Sequence, residues 1–279
     1  SLPLKFSPVF EAHSKKFIRM DFLPAGFDET ITPTLPWQHV TGVEYHPELN
    51  GEVTLREPKP LLVQQPEGAS FTTEGSKVKW LGWEFRVATT AREGFAIYDG
   101  WFKGRQVFYR ISLSEMTVPY GDPRAPYHRK QAFDLGDCGF GINANPLKLG
   151  CDCLGTIKYI DGRMIDLAGE PQILPNTVCM HEQDAGILYK HLNYRTQNAV
   201  VARKREFVVQ TIATVANYEY ILNFKFTNDG IVDIETRATG ILSTMPIDEN
   251  VTVPWGTVVG PNVMAAYHQH ILSFRIDPA

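Results

Sequence analysis

The chain has 279 residues and a formal net charge of −4, with 43% hydrophobic and 21% charged residues. That composition is ordinary for a globular protein, and the length suits one large domain or two small ones. The negative balance argues against a nucleic-acid binder held by phosphate contacts, and no apolar run reaches the roughly 18 residues that a membrane-spanning helix needs.

Residues 1–59 are rich in proline and weakly periodic. Thr32-Pro33-Thr34-Leu35-Pro36-Trp37 is typical, and prolines so close together suit neither a helix nor a central strand. The stretch predicts an extended arm with one short strand, Lys16 to Phe22, leading into a domain that occupies 60–279. From residue 60 onward the pattern is β. Val78, Trp80, Trp83 and Phe85 bracket Gly82, where a bulge or a close backbone approach is expected. Phe95 to Tyr98 and Val107 to Leu113 flank Lys103-Gly104, a hairpin signal. Thr156 to Ile160 runs into Asp161-Gly162, a favoured type I′ turn pair. Leu222, Phe224 and Phe226 alternate with Asn223, Lys225 and Thr227. Asn228-Asp229-Gly230 then turns the chain, and Val232 and Ile234 alternate with Asp233 and Glu235. Such alternation predicts a hairpin with one buried side. Many short strands, many turn residues and few helical signals predict an all-β fold, a large antiparallel β-sandwich.

Several residues carry chemical potential. His268-Gln269-His270 places two imidazoles two apart, on one face of a strand, where they can grip one ion such as copper, zinc, nickel or iron. Tyr218 lies in Thr214-Val215-Ala216-Asn217-Tyr218-Glu219-Tyr220, and a phenol held near such an ion can be oxidised. Asp134 sits between Phe133 and Leu135; a carboxylate in apolar surroundings has a raised pKa and can act as a base near neutrality. Each has an ordinary reading too. Tyr218 reads equally as a packed strand tyrosine, Asp134 as the aspartate of an Asp-x-Gly turn, and the histidine pair as strand residues. Among the four cysteines, Cys151-Asp152-Cys153 has poor spacing for zinc, and four buried free thiols is the plain alternative.

Longer segments narrow the choice. They are Gln65-Pro66-Glu67-Gly68, Ser114-Glu115-Met116-Thr117-Val118-Pro119-Tyr120-Gly121, Lys130-Gln131-Ala132-Phe133-Asp134-Leu135-Gly136, Leu149-Gly150-Cys151-Asp152-Cys153, Val178-Cys179-Met180-His181-Glu182, Asn217-Tyr218-Glu219, Pro254-Trp255-Gly256-Thr257 and His268-Gln269-His270. In that order, over about residues 58 to 279, the chain resembles the copper amine oxidases, most of all their fungal, yeast-type members.

The resemblance implies that Tyr218 is the precursor of topaquinone, a quinone cofactor made from the polypeptide. It implies copper(II) on His268 and His270, with a third histidine beyond Ala279, so that the domain is incomplete at its C-terminus. Asp134 would be the base that removes a proton from the carbon next to the amine nitrogen. Tyr120, fourteen residues earlier, would hydrogen-bond a quinone oxygen, and Asn217 would pack against the quinone ring. Cys153 and Cys179 would form a disulfide, and Asp277 would belong to a peripheral calcium-like site. The implied reaction turns a primary amine, O2 and water into an aldehyde, ammonia and hydrogen peroxide, in a homodimer without nucleic-acid or membrane partners, in the peroxisome or outside the cell. Two departures are Gly136-Asp137-Cys138-Gly139, where the family has Glu-Tyr before the last glycine, and Phe207, where it has an aliphatic residue. The alternative is a non-catalytic β-sandwich that keeps the scaffold for binding or structure. A cupin-like metal enzyme also has His-x-His, but it would want a glutamate a few residues on, and Ile271 to Ile276 offers none.

Overall fold

A computed structural model describes residues 3–29, 58–166 and 168–279; Thr32 to Trp37 and most of the expected arm lie outside the described residues. The strands run in chain order β1 (Phe6–Phe10), β2 (Phe17–Phe22), β3 (Thr72–Glu74), β4 (Lys77–Trp80), β5 (Trp83–Thr90), β6 (Gly94–Phe102), β7 (Arg105–Pro119), β8 (Gln131–Phe133) and β9 (Lys158–Ile165). They continue as β10 (Pro171–Leu192), β11 (Ala199–Val215), β12 (Tyr218–Thr227), β13 (Val232–Gly240), β14 (Thr244–Pro246), β15 (Gly256–Gly260), β16 (Val263–Ala266) and β17 (Ile271–Pro278). Among the described residues, one short α-helix, α1 (Asp134–Asp137), interrupts them.

The chain divides into two compact units. The larger comprises Leu61–Met116, Phe133–Ile241 and Ile271–Ala279. It is an antiparallel β-sandwich, as the alternation predicts. One sheet has the order β13-β12-β11-β10-β9, and the other follows β17-β7-β6-β5-β4-β3. Inward-facing residues of both sheets form one core. Phe85 of β5 stacks on Phe226 of β12 with ring centroids 4.2 Å apart, and Phe95 of β6 meets Phe224 edge-on at 5.0 Å. Burying side chains of this size stabilises by about 1.5–3 kcal/mol each. The Trp83 indole N–H also donates to the Thr227 carbonyl at 2.8 Å, tying the two sheets with a polar bond.

Local turn chemistry decides most of the connections. Lys103 and Gly104 both have positive φ and close the β6–β7 hairpin. Asn228, Asp229 and Gly230 turn β12 into β13, where Phe226 pairs with Val232. The expected one-sided burial of that hairpin is incomplete, since Asn223 and Thr227 are buried as well. Gly82 is not in a bulge. With Leu81 at φ 40° and Gly82 at φ 92°, the two form a tight turn that pairs Trp80 with Trp83; the bulge comes later, between Glu84 and Arg86. Asp161-Gly162 is not a turn either. Both residues lie inside β9, with Gly162 opposite Leu174. A side chain at 162 would meet Thr177 Oγ1 at 3.0 Å, so the glycine serves close packing.

The smaller unit comprises the described residues of Ser1–Pro60 with Thr117–Ala132 and Leu242–His270. It holds the β1–β2 hairpin, in which β2 is the strand expected from Lys16 to Phe22, and the three-stranded sheet β14-β16-β15. Its core gathers Tyr127, Met245, Ile247, Met264 and Ala266. Beside them, Arg124 pairs with Asp122 at 2.7 Å with both side chains buried, and donates to the Gly26 carbonyl at 2.8 Å.

Candidate active site

In the larger unit, the β11–β12 hairpin presents Tyr218. Val215 pairs with Tyr218 across a turn made by Ala216, at φ 55°, and Asn217. Thr214 and Glu219 face each other across the hairpin, and the Thr214 hydroxyl donates to Glu219 Oε1 at 2.8 Å. Asn145 Nδ2 donates to Glu219 Oε2 at 3.3 Å, and the Asn145 backbone N–H is bound to the Ile212 carbonyl at 2.8 Å. Asn217 is tied to the end of β13: its carbonyl accepts the Ile241 N–H at 2.8 Å, and its side-chain amide donates to the Ile241 carbonyl. β13 can come this close because residue 240 is glycine. At φ 103°, a Cβ there would lie 2.7 Å from the Asn217 carbonyl oxygen.

Tyr218 is 7% exposed and belongs to the sandwich core. Tyr220, two residues on and therefore on the same face, lies beside it with ring centroids 6.3 Å apart. Burial raises the pKa of the Tyr220 phenol, and the charges of Asp134 and Tyr218 add to the effect. Asp134 opens α1 and is itself buried. Burial lifts its carboxyl to a pKa of about 6, helped by the nearby carboxylates of Glu115 and Asp137. A carboxylate of that strength is ionised at neutral pH and still takes a proton readily.

The smaller unit holds the histidine pair. Gly121 N–H donates to the Tyr267 carbonyl at 2.8 Å, and Tyr120 forms an antiparallel bridge with His268. The Tyr120 ring consequently stacks on the His268 imidazole, 4.8 Å between centroids and 21° between planes. The His268 and His270 rings are 5.0 Å apart and nearly perpendicular. His268 Nδ1 lies 2.9 Å from the Ala266 carbonyl. A carbonyl can only accept, so Nδ1 carries a proton, and in the neutral ring Nε2 is then the acceptor nitrogen. Burial, reinforced by His268, lowers the pKa of His270 and favours the neutral ring that a metal needs. Two such imidazoles suit a divalent transition metal, but among the described residues no group of three His, Cys, Asp or Glu side chains is placed to enclose an ion. Lys130 Nζ lies 4.3 Å from the centroid of the Tyr120 ring, and burial lowers its pKa.

Other expected residues fall elsewhere. The carboxylate of Asp277 on β17 is engaged by Arg275, Nη2 to Oδ2 2.7 Å. Cys153 and Cys179, the pair expected to be bridged, are both free thiols in this structure. They are buried together beside Leu147, and a hydrogen bond between the two thiols favours ionisation of Cys153 and opposes that of Cys179. Cys138 and Cys151 are exposed thiols.

Sequence reasoning missed Tyr220, Lys130 and Glu115. The first was within reach, because strand periodicity places position 220 on the face of 218. The other two act through partners on separate elements, which no local pattern encodes.

The family described as copper amine oxidase, enzyme domain, matches residues 72–279. Copper amine oxidase 1 of Aspergillus niger is 51% identical over all of this chain and 42% of its own length. The peroxisomal primary amine oxidase of Pichia angusta is 41% identical over all of this chain and 40% of its own length. Among solved structures, a copper-containing benzylamine oxidase from Hansenula polymorpha superposes with a TM-score of 0.95 at 69% identity, covering all of this chain and 44% of that one. The chain thus spans about two-fifths of the length of the curated relatives it matches. Together with the sandwich, the buried aspartate and the histidine pair, the family match over residues 72–279 settles the assignment: this chain belongs to the copper amine oxidases, within their enzyme domain.

Proposed function

We propose that the whole protein oxidises primary amines to aldehydes with O2 and water, releasing ammonia and hydrogen peroxide, and that residues 60–279 form part of its catalytic domain. The observation that carries this reading is the buried Asp134 carboxylate, lifted to a pKa of about 6 beside Tyr220, which in turn lies against Tyr218.

Copper and a quinone derived from Tyr218, when present, would supply the electron sink for the amine and the route to O2. The rest is work for the chain itself. The fixed tautomer of His268 and the depressed pKa of His270 support these two imidazoles as copper ligands. The tied β11–β12 turn supports a fixed orientation for residue 218, with Asn217 acting through its bonds to Ile241. Tyr120, stacked on one of the two histidines, would orient the reacting group through its hydroxyl. Asp134, ionised above about pH 6, would take the proton from the carbon next to the amine nitrogen. Leu135 and Phe140, both buried near it in the chain, support a pocket that excludes bulk water from that transfer.

The likeness to a benzylamine oxidase at 69% identity supports an aromatic primary amine as substrate. The test is hydrogen peroxide release from benzylamine and O2 by the copper-loaded whole protein. We expect turnover in the wild type and a loss of at least about a hundredfold in Asp134→Asn, within the range that general-base catalysis supplies. Full turnover in that variant would remove Asp134 from the role of base, and inert wild-type protein would favour the scaffold-only reading.

We further propose a homodimer. Support comes from the β10–β11 hairpin, which runs on past its neighbours β9 and β12 as a two-stranded ribbon with exposed Ile187, Tyr189, Val200 and Val201.

A further inference from the structure

Glu115, near the end of β7, is aimed at the turn that carries Asp134. Its Oε1 accepts three backbone N–H groups: Met116 at 2.9 Å, Leu135 at 2.8 Å and Gly136 at 3.3 Å. Its Oε2 accepts from Arg92 Nη2 at 3.1 Å. The N-cap position of α1, Phe133, has no side-chain cap of its own. Two of the first N–H groups of that turn are therefore satisfied by a carboxylate from another strand, twenty residues earlier in the chain. From inside the turn, Asp137 Oδ2 accepts the Phe133 N–H at 3.0 Å. The turn is short, and an α-helix of one turn has little stability of its own; the bonds to Glu115 and Asp137 hold it.

We propose that Glu115 is the positioning residue for Asp134, fixing the backbone that aims the base and standing as a permanent anion beside it. The proposal rests on the reading of Asp134 as the base. Burial works against the charge on Glu115, but the N–H groups of Met116, Leu135 and Gly136, together with Arg92, outweigh it and keep the pKa below the ordinary value. Glu115 is therefore ionised across the range in which Asp134 titrates. The groups that face Asp134 are Glu115 from β7, Asp137 from α1 and Tyr220 from β12. Of these, Glu115 contributes the larger of the two charge effects on Asp134, second only to burial. A fixed anion makes a second ionisation harder, so Glu115 keeps Asp134 a stronger proton acceptor than its burial alone would.

The test uses the copper-loaded whole protein and three variants. Glu115→Gln keeps an oxygen that can accept the Leu135 and Gly136 N–H groups but removes the charge. The acid limb of its kcat/KM profile should move to lower pH by about half a unit or more. Arg92→Gln removes the cation that partly screens Glu115, and its limb should move the opposite way. Glu115→Ala loses the bonds as well, and its kcat should fall on the order of tenfold to a hundredfold. A readout independent of turnover is the Asp134 carboxyl titration in the metal-free protein, taken as an infrared difference against Asp134→Asn; it should shift downward in Glu115→Gln. An acid limb and a carboxyl titration both unmoved in Glu115→Gln would overturn the proposal, whatever happens to folding yield. Normal turnover in Asp134→Asn would instead show that the reading of the base was wrong, leaving the two failures distinct.

Discussion

Asp134 concentrates the chemistry at the residue scale. Its folded pKa of about 6 lies above the roughly 3.9 of an unfolded aspartate. The folded protein therefore holds this proton more tightly than the unfolded chain does. Stability from this group is fully present below about pH 4 and is lost as pH rises through 6. At neutral pH the ionised carboxylate destabilises the fold by on the order of 2–3 kcal/mol. Asp134→Asn should therefore raise the melting temperature at pH 7.5, with the gain fading toward pH 4. A variant less stable than the wild type at pH 7.5 would mean that the carboxylate is not held at an energetic disadvantage. Much of this was legible in the chain itself: an aspartate between Phe133 and Leu135 invites a raised pKa. The contribution of Glu115 was not, because its bonds to Leu135 and Gly136 depend on how β7 and α1 are brought together.

Among the elements, hairpins were legible wherever the turn is decided locally. Lys103-Gly104 and Asn228-Asp229-Gly230 carry the backbone freedom their turns need, and the strands on either side pair as the alternation requires. Asp161-Gly162 has the same local chemistry but stays inside β9, because the space beside Gly162 is filled by Thr177 from the neighbouring strand. Packing across the sheet overrode the turn signal there. The β10–β11 ribbon raises the opposite problem, a regular element with no sheet neighbours over its outer part. Among the described residues, 184–192 pair only with 199–205, and a two-stranded ribbon is marginal in water without a surface to cover it. We expect that surface to be a second copy of the protein. Ile187→Asp with Tyr189→Asp should weaken the dimer of the whole protein in sedimentation velocity, moving mass to the monomer at low micromolar concentration. A dimer unaffected by both changes would exclude the ribbon as its support.

On the scale of the whole molecule, the residues singled out as chemical fall in both compact units. The larger carries Asp134, Asn217, Tyr218 and Tyr220, and the smaller carries Tyr120, His268 and His270. Motifs in the sequence marked six of these seven residues, because each lies in a short segment whose order along the chain is itself informative. The grouping was not legible, since Thr117–Ala132 and Leu242–His270 join the N-terminal residues through packing and not through sequence continuity. The central claim is that Tyr218 becomes the quinone. Its most direct test is the mass of the peptide containing Tyr218, taken from whole protein purified without metal and then exposed to copper and O2. A gain of two oxygen atoms with loss of two hydrogens at residue 218, absent before copper is added, is the result expected; an unmodified tyrosine in copper-loaded, aerated protein would contradict it.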